Sequence, residues 1–292
     1  MRAPKIAGAL ACMALLTAAC GSAKAGTAVP NGDEAATYVS NKFSDTLKHL
    51  SDQFGRNDTR KTTLDIFARF DEKKINSTHS AIQLGHPPAR LSKNHSNTNS
   101  NEFLDDFHPA NSPVEYMLLG PVYSSLAPRP WVSMPYTAGN LSECFWGGAQ
   151  DVCKVLGAVS DSVDQGKAAK TANSKPDGSL ELAADVTLTA FLDNRVVVFP
   201  DSILSQITDD MKKQTLQAKI TLDAQGKLTD LQLGGRISGG GHELEVTEHY
   251  RLDGTPTDND LPKAPDPSQV TVLADSAAVN DFYARMGELQ GR

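Results

Sequence analysis

Two stretches of the sequence bring histidines close to acidic residues, the residue types that bind metal ions. His242, Glu243 and His249 form the first, but its histidines are seven residues apart in a predicted strand and face opposite sides. The second covers residues 79–108 and surrounds an asparagine-rich segment at 94–101, which favours solvated side chains. Its members are His79, His86, His95, Asp105, Asp106 and His108. We therefore predict no metal site and no cofactor.

The sequence contains no recognised catalytic motif. It has no Gly-x-Ser-x-Gly elbow, no Walker loop and no dinucleotide-binding fingerprint. We therefore predict that the protein is not an enzyme and has no catalytic residues.

The amino terminus has the composition of an export signal. Arg2 and Lys5 precede an apolar stretch at residues 6–19, which is too short to span a bilayer and is typical of a signal-peptide core. We predict that residues 1–19 are removed on export.

Cys20 follows small residues, and this arrangement resembles the bacterial lipobox, in which the cysteine is acylated and the preceding peptide removed. Thr17 is a departure, because an aliphatic residue is commoner there. We predict lipidation of Cys20 by palmitate or a similar chain, and a flexible tether at residues 20–32. The protein would then be anchored at the extracytoplasmic face of the bacterial cell membrane. The alternative is an ordinary secretory signal cut after a nearby alanine.

Two cysteines, Cys144 and Cys153, remain after the signal. An exported chain reaches a compartment in which disulfides form, so we predict that these two are paired. Two free buried thiols are the alternative.

The charge of the chain is negative. Lys and Arg number 28 against 35 Asp and Glu, and the formal charge of −7 becomes −9 without residues 1–19. This charge argues against nucleic acid and against anionic lipid headgroups as partners, because binding either needs clustered cations.

Apolar residues at steps of three and four predict four amphipathic helices, at residues 33–54, 149–163, 201–211 and 275–289. Asp275 is the predicted amino-terminal cap of the last helix. Strict alternation predicts a long strand at 180–192, and further strands at 196–199, 216–222, 228–237 and 244–252. The connecting turns are too short for crossover helices, so these strands must be antiparallel.

The region before residue 137 has a weaker pattern. Residues 64–70 alternate, and short strands are predicted at 114–119, 122–123 and 131–134. The segment at 94–101 is predicted to be an exposed loop. The sequence therefore predicts one α+β domain over residues 33–292.

The order of these features resembles the LolA/LppX-type lipoproteins of the bacterial envelope. The lipobox, the helix at 33–54, the strand with Trp131, the helical block after it and the hairpin at 219–228 carry the resemblance. It implies a long, curved, open antiparallel sheet, a half-barrel, covered by amphipathic helices. It also implies a cavity that carries lipid or the acyl chains of other lipoproteins.

The apolar phase of the strands supplies the residues that such a cavity would expose. They are Leu182, Val186, Leu188, Ile220, Leu222, Leu244, Val246 and Tyr250. We predict an anchored, non-catalytic envelope protein that binds or carries an apolar ligand. The alternative is an interaction or accessory lipoprotein that has a filled core, a protein partner in the envelope and no ligand.

Glu248 breaks the apolar phase between Val246 and Tyr250. We predict a bulge or a position at the sheet edge. A polar contact at the mouth of the cavity is the alternative.

Overall fold

The computed structural model describes residues 32–54, 59–136, 147–165 and 168–290. Val39–Arg292 forms one compact unit, and the features below belong to it, apart from the first turns of helix α1. None of the described helices is long and apolar enough to cross a membrane.

The described residues form six α-helices. They are α1 (Gly32–Phe54), α2 (Gly147–Asp164), α3 (Leu188–Asp193), α4 (Asp201–Leu204), α5 (Asp209–Lys212) and α6 (Ser276–Leu289). The predicted helices at 33–54, 149–163 and 275–289 are confirmed, and Asp275 caps α6 by accepting a hydrogen bond from the Ala278 amide. The predicted helix at 201–211 is wrong in its continuity, because the Thr208 side chain caps a new helix, α5.

Twelve strands form a single sheet. They are β1 (Arg60–Phe70), β2 (Lys73–Leu84), β3 (Ala89–Ser96), β4 (Phe103–His108), β5 (Val114–Leu119), β6 (Trp131–Pro135), β7 (Lys170–Ser174), β8 (Leu180–Thr187), β9 (Thr215–Leu222), β10 (Leu228–Gly239), β11 (His242–Gly254) and β12 (Val270–Val272). Their order is β12-β6-β5-β4-β3-β2-β1-β11-β10-β9-β8-β7, so the sheet is open, with β12 and β7 at its edges. Every pairing is antiparallel except that of β12 with β6. The predicted α+β fold with a long antiparallel sheet is confirmed.

The predicted strand at 180–192 is wrong beyond Thr187. The Thr187 side chain accepts a hydrogen bond from the Ala190 amide and so begins helix α3, which contains Leu188. The adjacent residues Ala190 and Phe191 are both buried. Burial therefore no longer alternates along the chain in this segment, as it would in a strand with one exposed face. Residues 196–199 form no strand either.

The sequence did not predict β2, β3 or β4 as strands, because the buried face of each carries polar residues. The asparagine-rich segment at 94–101 is only partly a loop, since β3 continues to Ser96. Residues 122–123 belong to a 3-10 turn, Pro121–Tyr123, and not to a strand.

Helices cover one face of the sheet, which we call the inner face. Strands β8–β11 and β1 pack there with α1, α2 and α3 in a large apolar cluster, which includes Phe43, Val159 and Phe191. At the other end, strands β5 and β6 pack with α6 in a small apolar cluster, which includes Val132 and Phe282. The opposite face is called the outer face.

Helix α2 crosses the inner face. Near its start Asp151 Oδ2 lies 2.9 Å from His79 Nδ1 on β2, and near its end Ser162 Oγ accepts a hydrogen bond of 3.1 Å from the Thr187 amide of β8. The helix rises about 16 Å between these two residues. Five strand spacings separate β2 from β8, about 24 Å along a flat sheet. Helix α2 therefore lies across the sheet from β2 to β8, and the side chains that make the two contacts reach outward from its ends.

Candidate functional site

The eight residues predicted to line a cavity all lie in the large apolar cluster. Seven are on the inner faces of β8, β9 and β11, and Leu188 is the first residue of α3. Each is at most 3% exposed. The structure therefore brings them together, and they pack against neighbouring side chains.

Two pockets lie elsewhere in the described residues. A groove of about 590 Å³ runs over β8–β11, and its side chains include Gln217, Lys219, Gln232 and His249 of the outer face. A smaller pocket of about 220 Å³ lies beside Asp260, which accepts a 2.7 Å hydrogen bond from Lys61. None of the eight predicted residues lines either pocket.

Between the two apolar clusters the inner face is polar. The strand registers align a row of polar residues on β1–β4, and most of them are buried. We call this row the polar band. It consists of Arg60, Thr62, Gln83, Arg90, Ser92, Asp106 and His108. Across the strands, the inner face is therefore apolar at the large apolar cluster, polar at the polar band and apolar again at the small apolar cluster.

Arg90 is at the centre of the polar band. It is only 1% exposed, and its Nε donates a 2.8 Å hydrogen bond to Gln83 Oε1. A guanidinium Nη1 lies 3.5 Å from the Tyr136 hydroxyl, and the Tyr136 ring stacks on His108 with centroids 3.5 Å apart. Such contacts hold the guanidinium in place within the protein.

His108 is kept neutral. Burial lowers the pKa of its imidazole and the nearby Arg90 lowers it further, although a hydrogen bond to the Ser112 carbonyl acts in the opposite direction. Because Nε2 lies 3.0 Å from that carbonyl oxygen, Nε2 carries the proton. Its Nδ1 atom is then a buried acceptor without a hydrogen-bond partner among the described residues.

Two carboxyl groups lie close together where the polar band meets the small apolar cluster. Burial, with the nearby Glu115 and Asp105, raises the pKa of Asp106 to about 7. Burial also raises the pKa of Glu115. The two face Tyr283 of α6, whose pKa is raised by burial and by both carboxyl groups. This end of the inner face is therefore less negative at neutral pH than its composition indicates.

Glu248 corrects the prediction of a bulge or an edge position. Strand β11 is central in the sheet, and Glu248 pairs in regular register with Ile66 of β1 and Leu233 of β10. Its side chain is fully buried, and neither carboxyl oxygen has a hydrogen-bond partner among the described residues. Burial, and then Asp151, raise the pKa of Glu248 well above its usual range, although Lys154 opposes them.

The start of α2 places charged groups beside Glu248. Asp151 contacts His79 at 2.9 Å and accepts a 3.3 Å hydrogen bond from Lys154 Nζ. Burial by itself would raise the pKa of Asp151, but these two partners lower it. Asp151 is therefore ionised and already has its hydrogen-bond partners, so it leaves Glu248 without one.

The lipidation and disulfide predictions fall mainly outside this description. Cys20 and Cys144 lie outside the described residues. Cys153 lies on α2, half-buried against the large apolar cluster. Both the anchor and the Cys144–Cys153 pair therefore stay predictions.

The predicted histidine-rich region is dispersed by the fold. His79 contacts Asp151, His95 Nε2 lies 2.7 Å from Asp105 Oδ1, and His108 belongs to the polar band. The described residues contain no group of three or more side chains that could hold a metal ion. His242 and His249 pair with separate acids, Asp71 and Asp230.

Sequence reasoning missed the polar band, because its members come from four strands whose pairing the sequence did not predict. One signal was present in the sequence. Thr62 lies on the same face of β1 as Ile66, so a polar residue occupies a position at which the alternation predicts a buried one. The single strand could not show that its neighbours continue the row.

No family model and no curated protein matches the chain. Among solved structures, LprF from Mycobacterium bovis is similar over 78% of this chain and 97% of its own, with 11% identity and a TM-score of 0.32. The Mycobacterium tuberculosis lipoprotein LppX is similar over 74% and 94%, with 12% identity and a TM-score of 0.26. A LolA superfamily protein from Nitrosomonas europaea is similar over 75% and 97%, with 10% identity and a TM-score of 0.24. LppX and a LolA superfamily protein, the two kinds of protein that the sequence resembles, are therefore both among the matches. Scores of this size carry no function over to this chain.

Proposed function

We propose that the protein is a lipid-anchored envelope protein that binds an amphipathic ligand, a lipid or an acyl chain with its headgroup, against the inner face of the sheet. It has no catalytic role. The anchor is Cys20, and the ligand's hydrocarbon contacts the large apolar cluster while its polar part contacts the polar band.

A single observation carries this proposal: buried polar side chains occupy the inner face between two apolar clusters. Burying a polar group without a hydrogen bond costs about 1–3 kcal/mol. Two such groups, His108 Nδ1 and the Glu248 carboxyl, face the covered side of the sheet. A ligand that has both polar and apolar parts matches this order of surfaces and supplies the missing hydrogen bonds.

The ligand's hydrocarbon needs space in the large apolar cluster, where the eight predicted residues are packed. We propose that α2 and α3 separate from the sheet to admit it. This movement breaks two polar contacts at the ends of α2, Asp151 with His79 and Ser162 with Thr187, and exposes the part of the large apolar cluster that the helix covers.

Native mass spectrometry tests the proposal. The chain from Ala28 onward keeps the whole compact unit Val39–Arg292 and lacks the anchor. Purified from a bacterial envelope fraction without detergent, it is expected to carry copurified lipid, identified after solvent extraction. Bare protein in repeated preparations, with no uptake of added phospholipid from vesicles, would contradict the proposal.

A second candidate function is an interaction module with a filled core and no ligand. The packing of the eight predicted residues, each at most 3% exposed, favours it. It predicts a protein partner that is recovered by crosslinking in the intact envelope, together with the absence of lipid. Bound lipid without any crosslinked partner would reject it.

The anchor has a test of its own. Because the acyl chain is attached through the cysteine sulfur, Cys20→Ala is expected to abolish labelling by an alkyne analogue of palmitate. Cys12→Ala is the matched control and should leave the labelling unchanged. Labelled Cys20→Ala protein would contradict the assignment.

A further inference from the structure

Glu248 differs from the residues around it on the inner face. Its neighbours along β11 are Val246 and Tyr250, and its cross-strand partners are Ile66 and Leu233. All four are buried members of the large apolar cluster. The strand alternation therefore places one carboxyl group within an apolar surface.

The position is costly for the protein itself. Neither oxygen of Glu248 has a hydrogen-bond partner among the described residues, and the side chain is fully buried. A leucine of similar volume would complete the cluster without this cost. An unsatisfied buried polar group therefore requires an explanation other than folding stability.

The charged groups near Glu248 bond to one another. Asp151 faces Glu248 from the start of α2, but its oxygens accept from Lys154 and contact His79. These contacts leave the Glu248 carboxyl without a hydrogen-bond partner among the described residues.

Glu248 also lies where the inner face changes character. Its row across the sheet continues through Ile66 to Ser77 of β2, and the next row continues from Tyr250 through Leu64 to His79. On the other side, Leu233 continues the apolar surface towards β9. In an amphipathic ligand, the matching position is the junction between hydrocarbon and headgroup.

We propose that Glu248 is a binding residue for the uncharged hydrogen-bonding group, an ester or a hydroxyl, that joins the hydrocarbon of the ligand to its headgroup. This inference rests on the proposed function and adds the chemistry of the ligand. A neutral carboxyl can donate one hydrogen bond to an ester carbonyl and accept another from a hydroxyl.

Two probes separate the polar contribution from the apolar one. They are 1-lauroylglycerol, which has an ester and two hydroxyls, and dodecane, which has a chain of the same length and no polar atom. Binding of each radiolabelled probe is measured by equilibrium dialysis with the chain from Ala28 onward. The variants are Glu248→Leu, which removes the carboxyl, and Glu248→Gln, which keeps a donor and an acceptor.

Glu248→Leu is expected to weaken 1-lauroylglycerol binding about tenfold, because one hydrogen bond is lost, and to change dodecane binding less than threefold. Glu248→Gln should keep 1-lauroylglycerol binding within about threefold of wild type. Glu181→Gln is the matched control, since it removes a carboxylate that is paired with Lys175 and Lys219 on the outer face. Thermal unfolding of each variant verifies that it is folded.

The outcomes distinguish the two proposals. Equal binding of 1-lauroylglycerol by wild type and Glu248→Leu would overturn the role of Glu248 and leave the proposed function standing. Equal losses for both probes would also overturn it, because they would indicate a change in packing. Binding of neither probe by the wild-type protein would overturn the proposed function and this inference together.

Discussion

The two halves of the sheet bury their inner faces in different ways. In the half formed by β7–β11 and β1, most buried positions are apolar, and the polar exceptions include Glu248 of β11 and Arg60 and Thr62 of β1. In the half formed by β2–β6, buried positions include Gln83 and Arg90. The same strand geometry therefore supports an apolar core in one half and a hydrogen-bonded row in the other.

The two halves of the sheet are therefore stabilised by different interactions. Apolar burial stabilises the first half by about 25 cal/mol per Å² removed from water. The second half depends on hydrogen bonds between its buried polar groups, such as those of Arg90 with Gln83 and Tyr136. The first half should therefore contribute most of the stability, and the dependence of stability on pH should come from a buried carboxyl group in each half, Glu248 in the first and Asp106 in the second.

Phe191→Ala is expected to have the largest effect, because it opens a cavity in the large apolar cluster. Phe191 is fully buried, and its loss should lower the free energy of unfolding by about 3–5 kcal/mol, measured by urea denaturation. Phe282→Ala makes the same change in the small apolar cluster, where fewer buried residues surround the ring. A larger cost for Phe282→Ala would break the comparison. Leu204→Ala is the exposed control, with an expected cost below about 1 kcal/mol.

Glu248→Gln should have the next largest effect on the free energy of unfolding, and this effect should depend on pH. The pKa of Glu248 is raised in the folded state, so the contribution of this carboxyl to stability is fully present below the unfolded pKa and is lost as pH rises towards the folded one. Over that range each pH unit costs about 1.4 kcal/mol relative to the variant. Urea denaturation at pH 5 and pH 8 measures the difference, and His79, Asp151 and Lys154 are the same in both proteins. A constant difference between the two pH values would contradict the assignment.

Asp106→Asn sharpens the comparison in the second half of the sheet. Because the pKa of Asp106 is raised to about 7, wild-type stability should fall relative to the variant between about pH 4 and pH 7 and then level off. Thermal unfolding across this range provides the measurement. Asp209→Asn removes the same charge from a side chain that is 88% exposed, and its effect should stay within about 0.5 kcal/mol. Equal profiles for the two variants would disprove the prediction.

Asp260→Asn should have the smallest effect on stability. Its dependence on pH should run in the opposite direction to those of Glu248→Gln and Asp106→Asn. The Lys61 ammonium group, with the Thr257 amide and hydroxyl, lowers the pKa of Asp260 to about 2. The contribution of this carboxylate to stability is therefore present above the unfolded pKa and lost as pH falls through about 2. Wild type and variant should differ at pH 7 and converge in acid, as followed by circular dichroism. Lys61→Met, which removes the partner, should reproduce most of the difference at pH 7.

Particular elements show how far the sequence could be interpreted. The alternation in residues 216–222 and 244–252 predicted β9 and β11, and the steps of three and four predicted α1, α2 and α6. In each of these elements one face is apolar and the other polar, so the spacing of apolar residues along the chain indicates which side chains are buried. Strand β3 has the buried residues Arg90 and Ser92, and no hydrophobic period could mark it.

The candidate site divides in the same way. The sequence predicted that the eight apolar residues share one face of the sheet, and it singled out Glu248 as an irregularity. It placed Glu248 at a bulge or an edge, because the sequence of one strand does not show which residues pair with it. The structure shows regular pairing with Ile66 and Leu233. The polar band was missed because its row runs across strands and not along one.

The sequence by itself determined the α+β class, the antiparallel direction of the central strands, their apolar phase and the negative net charge. These properties depend on local periodicity, turn length and composition, which a chain carries in any conformation. The tertiary structure alone decided which polar residues are buried together and that the Glu248 carboxyl has no hydrogen-bond partner within the part of the chain that the structure describes. Burial and hydrogen bonding depend on which strands become neighbours, and Arg90 and Asp106 become neighbours of the apolar clusters only when the sheet has formed.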